Sequence, residues 1–67
     1  MKPNEIKRLR LEQGLTQEQL ADLANVSQPA LSQYESGRVT PSFPAARRLA
    51  KALGVSLESL ILEEEAQ

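Results

Sequence analysis

The sequence predicts an all-α fold, five short helices packed as one small domain, and three observations carry that expectation. Apolar residues recur at i, i+3 and i+4 spacing in one segment after another, as in Leu20, Leu23 and Ala24 or in Phe43, Ala46, Leu49, Ala50 and Leu53. Capping residues open these segments (Thr16, Ser27, Ser42, Ser56) and Gly14, Asn25, Gly37 and Gly54 close them. No stretch shows the sustained alternation with β-branched residues that a strand requires.

The first helix is expected from Asn4, read as its N-cap, to Gln13, with Ile6 and Leu9 on one face and Arg10 adjoining it. Gly14 supplies the left-handed residue that ends it. Thr16 followed by Gln19 is a capping box in its glutamine form, and Leu15 before the cap can staple onto Leu20. In this second helix Leu20, Leu23 and Ala24 form the apolar face, and Ala21 is small enough to let a partner helix come close. Ser27 caps a third helix over about Gln28 to Ser36, with Pro29 in its first turn, where a missing N–H costs little. Its apolar positions are Ala30, Leu31 and Tyr34.

Residues 37–42 read as a loop, and Ser42 caps the fourth helix, with Pro44 in its first turn. Phe43, Ala46, Leu49, Ala50 and Leu53 make its stripe, with Arg47, Arg48 and Lys51 facing out. Ser56 caps a short fifth helix carrying Leu57, Leu60 and Ile61, which fades into the acidic tail Glu63-Glu64-Glu65. That helix is too short, on this reading, to bury all three apolar residues internally.

Size and composition narrow the function. A chain of 67 residues is expected to be one domain, spanning 1–67. A core of this size supplies roughly 3–5 kcal/mol of net stability, so good helix packing or self-association is needed. There is no cysteine and no histidine, which removes disulfides, thiolate metal sites and the commonest metal ligand and general base. With no glycine-rich phosphate loop either, neither an enzyme nor a cofactor or metal is expected. The absence of a ligand domain makes a small-molecule ligand unexpected.

No apolar run approaches the ~20 residues of a membrane span. Met1-Lys2-Pro3-Asn4 leads straight into a charged segment rather than a leader, so the expected location is the cytoplasm, in association with the nucleoid. The net charge of −1 hides an asymmetry: setting aside Glu63-Glu64-Glu65 leaves eight basic against six acidic side chains.

The informative feature is the connection Asn25-Val26-Ser27. Two short helices joined by so tight a turn define a helix-turn-helix, which projects its second helix from the surface. A projecting helix of this kind fits the major groove of B-DNA, about 12 Å wide. Gln28 and Ser32 lie four residues apart, as do Pro29 and Gln33, so the four share one outward face opposite the apolar stripe. The glutamine amides can each grip adenine at N6 and N7, and Pro29 suits a thymine methyl. The same spacing also fits a plain solvated face. Gln17 opens the second helix, where free N–H groups and the helix dipole favour a phosphate. Arg38, Thr40 and Ser42 add donors in the following loop. Arg10 and Glu35 are candidates for a structural ion pair, two unrelated surface charges being the competing reading.

Ile6-Lys7-Arg8-Leu9-Arg10, Gly14-Leu15-Thr16-Gln17-Glu18-Gln19-Leu20-Ala21, Val26-Ser27, Tyr34-Glu35-Ser36-Gly37-Arg38, Pro41-Ser42 and Leu49-Ala50-Lys51-Ala52-Leu53-Gly54-Val55 together resemble the phage repressor/Cro family. It is also known as the xenobiotic-response-element (XRE) helix-turn-helix family. The resemblance covers about residues 5–62 and leaves the acidic tail 63–67 outside it. It implies a five-helix, lambda-repressor-like domain that binds a palindromic operator as a homodimer, with the third helix in the major groove. It implies base contacts from Gln28, Pro29, Ser32 and Gln33, and phosphate contacts from Gln17, Ser27, Arg38, Thr40 and Ser42. It further implies a packed Arg10–Glu35 pair, and a dimer region at Leu57 and Leu60 to which Ile61 adds apolar surface.

Some features depart from the family pattern. Pro29 stands where many relatives have a polar reader, and the third helix has no Arg or Lys, so A·T-rich contacts are favoured over guanine readout. Leu11 is an apolar residue at an exposed position for which nothing in the pattern accounts. The expected function is a sequence-specific, double-stranded-DNA-binding transcriptional regulator of repressor type. The alternative is a protein-interaction module of the same fold, antitoxin-like or coactivator-like, against which the shortness of the leftover tail weighs.

Overall fold

The computed structural model describes residues 3–60, with side chains from residue 5 onward. Four helices are complete within that range: α1 (Pro3–Glu12), α2 (Gln17–Ala24), α3 (Gln28–Ser36) and α4 (Phe43–Leu53). A fifth helical segment, α5, covers residues 57–60. The fold is all-helical, and no strand occurs among the described residues.

Caps punctuate the chain as the sequence predicts. The Thr16 side chain accepts from the Gln19 N–H while the Gln19 side chain accepts from the Thr16 N–H, so two orphan donors of α2 are satisfied reciprocally. Ser27 and Ser42 do the same one-way service for α3 and α4. Asn25 ends α2 at φ 58°, the one non-glycine residue with positive φ among those described. One boundary differs: α1 begins at Pro3, so Asn4 lies inside the first turn rather than at the cap. Proline at a helix start already has helical φ and lacks only an N–H that would have no intrahelical partner.

Each helix contributes one fully buried large side chain: Ile6, Leu20, Leu31, Leu49 and Leu60. Around them pack Ala21, Ala24, Ala50 and Leu53. The small residues let α2 and α4 approach closely, while α3 packs on α1 and α2. Leu15, before the α2 cap, packs against the same cluster.

Two expected core residues are outside it. Leu23 is 62% exposed. At roughly 100° per residue the buried face of α2 is centred on Leu20, Ala21 and Ala24, and Leu23 falls on its flank. Phe43 is 58% exposed, because the apolar row of α4 begins to bury only at Ala45 and Ala46, a turn further on. In α5, expected to be too short to bury Leu57, Leu60 and Ile61 together, Leu60 is buried within the chain. Leu57 is half-buried against the same cluster. Ile61 and the tail 63–67 lie outside the described residues.

Two unexpected side chains tie helix ends together. The Arg48 Nε, expected to face out, donates to the Ala24 carbonyl at 3.2 Å, answering an orphan acceptor at the α2 C-terminus. The Gln13 Nε2 donates to the Leu53 carbonyl at 2.6 Å and does the same for α4. On the exposed side of α1, hydrogen bonds with Glu5 and then Glu12 hold the Arg8 guanidinium above its ordinary pKa.

Candidate nucleic-acid interface

The geometry of α2 and α3 follows from the three residues between them. The Asn25 N–H bonds back to the Ala21 and Asp22 carbonyls, and the Val26 N–H reaches the Ala21 carbonyl at 3.0 Å. This left-handed stop reverses the chain within one residue. Ser27 then accepts from the Ala30 N–H at 3.2 Å and starts α3 at once. Half-buried Val26 joins the core between the two caps, so the turn is held from inside. The result is a helix-turn-helix with no slack in its connection.

In α3 the inward face is Leu31 and Glu35, with half-buried Ala30 and Tyr34 beside them. Gln28, Pro29, Ser32 and Gln33 are all exposed. Pro29 and Gln33 lie opposite Leu31 and Glu35 with Ser32 beside them, while Gln28, seven residues before Glu35, is exposed at the N-terminal end of the helix. No described hydrogen bond engages the side chain of any of the four. Together they present two amides, a hydroxyl and an apolar ring, a mixture suited to base edges. Gly37 ends α3 at φ 85°. The Arg38 N–H and Val39 N–H both return to the Gln33 carbonyl, so the following loop starts as a tight turn. Arg38, Thr40 and Ser42 are exposed on that loop, and Ser27 is exposed at the other end of α3. Ser27 and Ser42 use their oxygens to cap, which leaves each O–H able to donate outward.

Arg10 and Glu35 are each 8% exposed and form a two-pronged pair. Arg10 Nε donates to Glu35 Oε2 at 2.7 Å and Nη2 donates to Oε1 at 3.2 Å. The remaining prong, Nη1, donates to the Leu15 carbonyl at 2.8 Å. Every buried polar side-chain atom among the described residues has a partner. One guanidinium thus joins the end of α1, the residue before the α2 cap and the end of α3. Sequence reasoning placed the pair but missed the Leu15 contact.

It also missed the surroundings of Gln17. This side chain was expected to add a donor to a phosphate at the α2 N-terminus. It is half-buried, and its Nε2 donates to Glu35 Oε1 at 2.9 Å. The signal available in the sequence was the shared use of one carboxylate, and no spacing rule reveals that. Among the described residues no cluster of metal-ligating side chains occurs. No described helix is long and apolar enough to cross a membrane.

A capped helix-turn-helix with an exposed polar second helix defines a DNA-binding domain. A family model described as helix-turn-helix matches residues 6–60, and the chain belongs to that family, in its XRE-type branch. This is a family of DNA-binding transcriptional regulators, not of enzymes. Over 59 residues, 88% of this chain, it is 41% identical to the immunity repressor protein of Bacillus phage phi105, covering 41% of that protein. Over 60 residues it is 38% identical to the transcriptional activator BcrR of Enterococcus faecalis, covering 90% of this chain and 29% of BcrR. It therefore spans less than half the length of these two relatives. A regulator of Methanocaldococcus jannaschii is 36% identical and matched over 92% of this chain and 94% of its own length. Among solved structures, a chain of the SinR protein/SinI protein complex superposes with a TM-score of 0.88 at 31% identity, covering 98% of this chain and 65% of that one.

Proposed function

We propose that this single domain, residues 1–67, binds a palindromic DNA operator as a homodimer and acts as a repressor, with α3 in the major groove. Gln28, Pro29, Ser32 and Gln33 read base edges, and Gln17, Ser27, Arg38, Thr40 and Ser42 hold phosphates on either side. The observation that carries this reading is the joint exposure of the four α3 side chains while Leu31 and Glu35 are buried. The absence of Arg and Lys from α3 favours A·T-rich half-sites.

A twofold axis near α5 sets two recognition helices about 34 Å apart, one turn of DNA. Within that interface Leu60 is already occupied by its own core. Half-buried Leu57 is the described apolar residue of α5 left to meet a partner copy, and Ile61, outside the described residues, remains the expected addition to it. The protein works in the cytoplasm, on the nucleoid.

Selection from random duplexes tests this directly. Enrichment of a palindrome with half-sites about one turn apart supports a dimeric operator reader. Loss of its preferred bases in Gln28→Ala and Gln33→Ala assigns the readout. No enriched sequence together with weak binding at low salt refutes the reading, and sedimentation of a strict monomer with and without DNA refutes the dimer. The second reading, a protein-interaction module, draws support from the likeness to a chain solved in a two-protein complex. Binding of a protein partner without duplex affinity is its signature.

A further inference from the structure

We propose that the buried Arg10–Glu35 pair positions Gln17 for DNA: Glu35 anchors one amide hydrogen of Gln17 and thereby aims the other at a phosphate, while Arg10 neutralises the carboxylate beside that site. The inference rests on the reading of the α2 N-terminus as a phosphate contact.

The geometry supplies the reasons. Glu35 Oε1 accepts from both Arg10 Nη2 and Gln17 Nε2, at 3.2 Å and 2.9 Å. A carboxylate salt-bridged to a guanidinium only accepts, so it dictates which end of the Gln17 amide faces inward. The NH2 group must lie toward Glu35. One of its two hydrogens is used there and the other remains for an outside acceptor. An unanchored glutamine presents its oxygen to a phosphate as readily as its nitrogen, and it must lose rotamer freedom on binding. Gln17 is also the first residue of α2, where unpaired backbone N–H groups already favour an anion.

Arg10 has a second task in this arrangement. A lone carboxylate beside a phosphate repels it, and the guanidinium cancels that charge. The third prong of Arg10, on the Leu15 carbonyl, fixes the entry to α2 against the end of α3. The same side chain therefore sets the spacing between the phosphate contact and the reading helix. Stability alone does not call for this device, since buried ion pairs replaced by apolar residues of similar volume are often as stable or more so.

The test separates positioning from folding. The double variant Arg10→Met/Glu35→Leu removes both charges and keeps apolar bulk. Gln17→Ala is made in the wild-type and double-variant backgrounds. Thermal unfolding of all four chains is followed by circular dichroism, and their affinity for the selected duplex is read by fluorescence anisotropy at one salt concentration. The expected result is a double variant that melts with the wild type but binds about five- to tenfold more weakly, the scale of one ordinary hydrogen bond. Gln17→Ala weakens the wild type to a similar degree and adds little in the double variant. A folded double variant that binds like the wild type, with the Gln17→Ala effect intact, overturns the proposal and leaves the DNA reading standing. A wild type that binds no duplex overturns both.

Should the double variant unfold, the side-chain amide of Gln17 in the wild type decides by NMR. One amide proton displaced from its free-glutamine shift and protected from solvent exchange, with the other moving on adding duplex, supports the anchor. Two protons at free-glutamine shifts that exchange with solvent equally fast before duplex is added overturn it.

Discussion

Leu60→Ala discriminates between a core residue and an interface residue at a position the sequence reading put in the dimer region and the structure buries in the core. Leu60 is 0% exposed, enclosed by the cluster that contains Ile6, Leu49 and Leu53. Removing its branched end leaves a cavity inside that cluster, which cannot close freely around it. Leucine-to-alanine changes at such sites destabilise by about 2–5 kcal/mol, and the middle of that range, about 3 kcal/mol, is the expected loss here. A domain of this size holds about 3–5 kcal/mol in total, so the variant retains little. At about 4–8 °C per kcal/mol the melting temperature falls by about 12–24 °C. Urea unfolding by circular dichroism, run at two protein concentrations about a hundredfold apart, reads the loss. A core residue gives the same loss at both, whereas an interface residue gives a loss that fades on dilution as dimers dissociate. A loss below about 1 kcal/mol at the lower concentration refutes the burial argument.

Thr16→Ala removes one half of the capping box and is expected to lower stability by about 1 kcal/mol in the same unfolding assay. Leu20→Ala and Leu23→Ala, three residues apart on one helix, are expected to differ by about 2 kcal/mol or more, because Leu20 is 0% and Leu23 62% exposed. Equal losses would show that Leu23 packs against something in solution. Arg38→Ala is expected to weaken duplex binding uniformly across sequences and to reduce the slope of log affinity against log salt by about one, read from titrations at several salt concentrations.

Local chemistry made most of the fold legible. Threonine, serine, glycine and asparagine at helix ends act through neighbouring backbone groups, so Thr16, Asn25, Ser27, Gly37, Ser42 and Gly54 reveal themselves without tertiary information. The outward face of α3 was legible for the same reason, since period and turn length suffice to place it. What escaped was set across the chain. Arg48 and Ala24 are 24 residues apart, Gln13 and Leu53 are 40, and Gln17 and Glu35 are 18. Each of these bonds closes a helix end or shares an acceptor, and no local pattern marks the partner. Leu23 and Phe43 were misplaced because periodicity identifies a stripe but not where along it the neighbouring helix begins and ends. The exposure of Leu11, at 57%, has no explanation in the structure.

The placement of cations bears on how such a domain discriminates between DNA sequences. Arg8 is held by Glu5 and Glu12, Arg10 by Glu35 and the Leu15 carbonyl, and Arg48 is tethered through Nε to Ala24. Arg47 and Lys51 lie on α4, which packs on α2 and α1, and Lys7 lies exposed on α1. Of the described cations only Arg38 directly follows the reading helix. On the proposed reading, phosphate contacts from neutral donors such as Gln17, Ser27, Thr40 and Ser42 would fix register but release no counterion of their own. Non-specific affinity, which rests on counterion release, is then expected to be small, with the proposed base-edge contacts from α3 unaffected. The quantity that governs operator occupancy in a genome is the ratio of specific to non-specific binding, and lowering the denominator raises it as surely as tightening the operator. A net charge of −1 is thus compatible with DNA reading and consistent with a reader that gains selectivity by holding weakly to everything else.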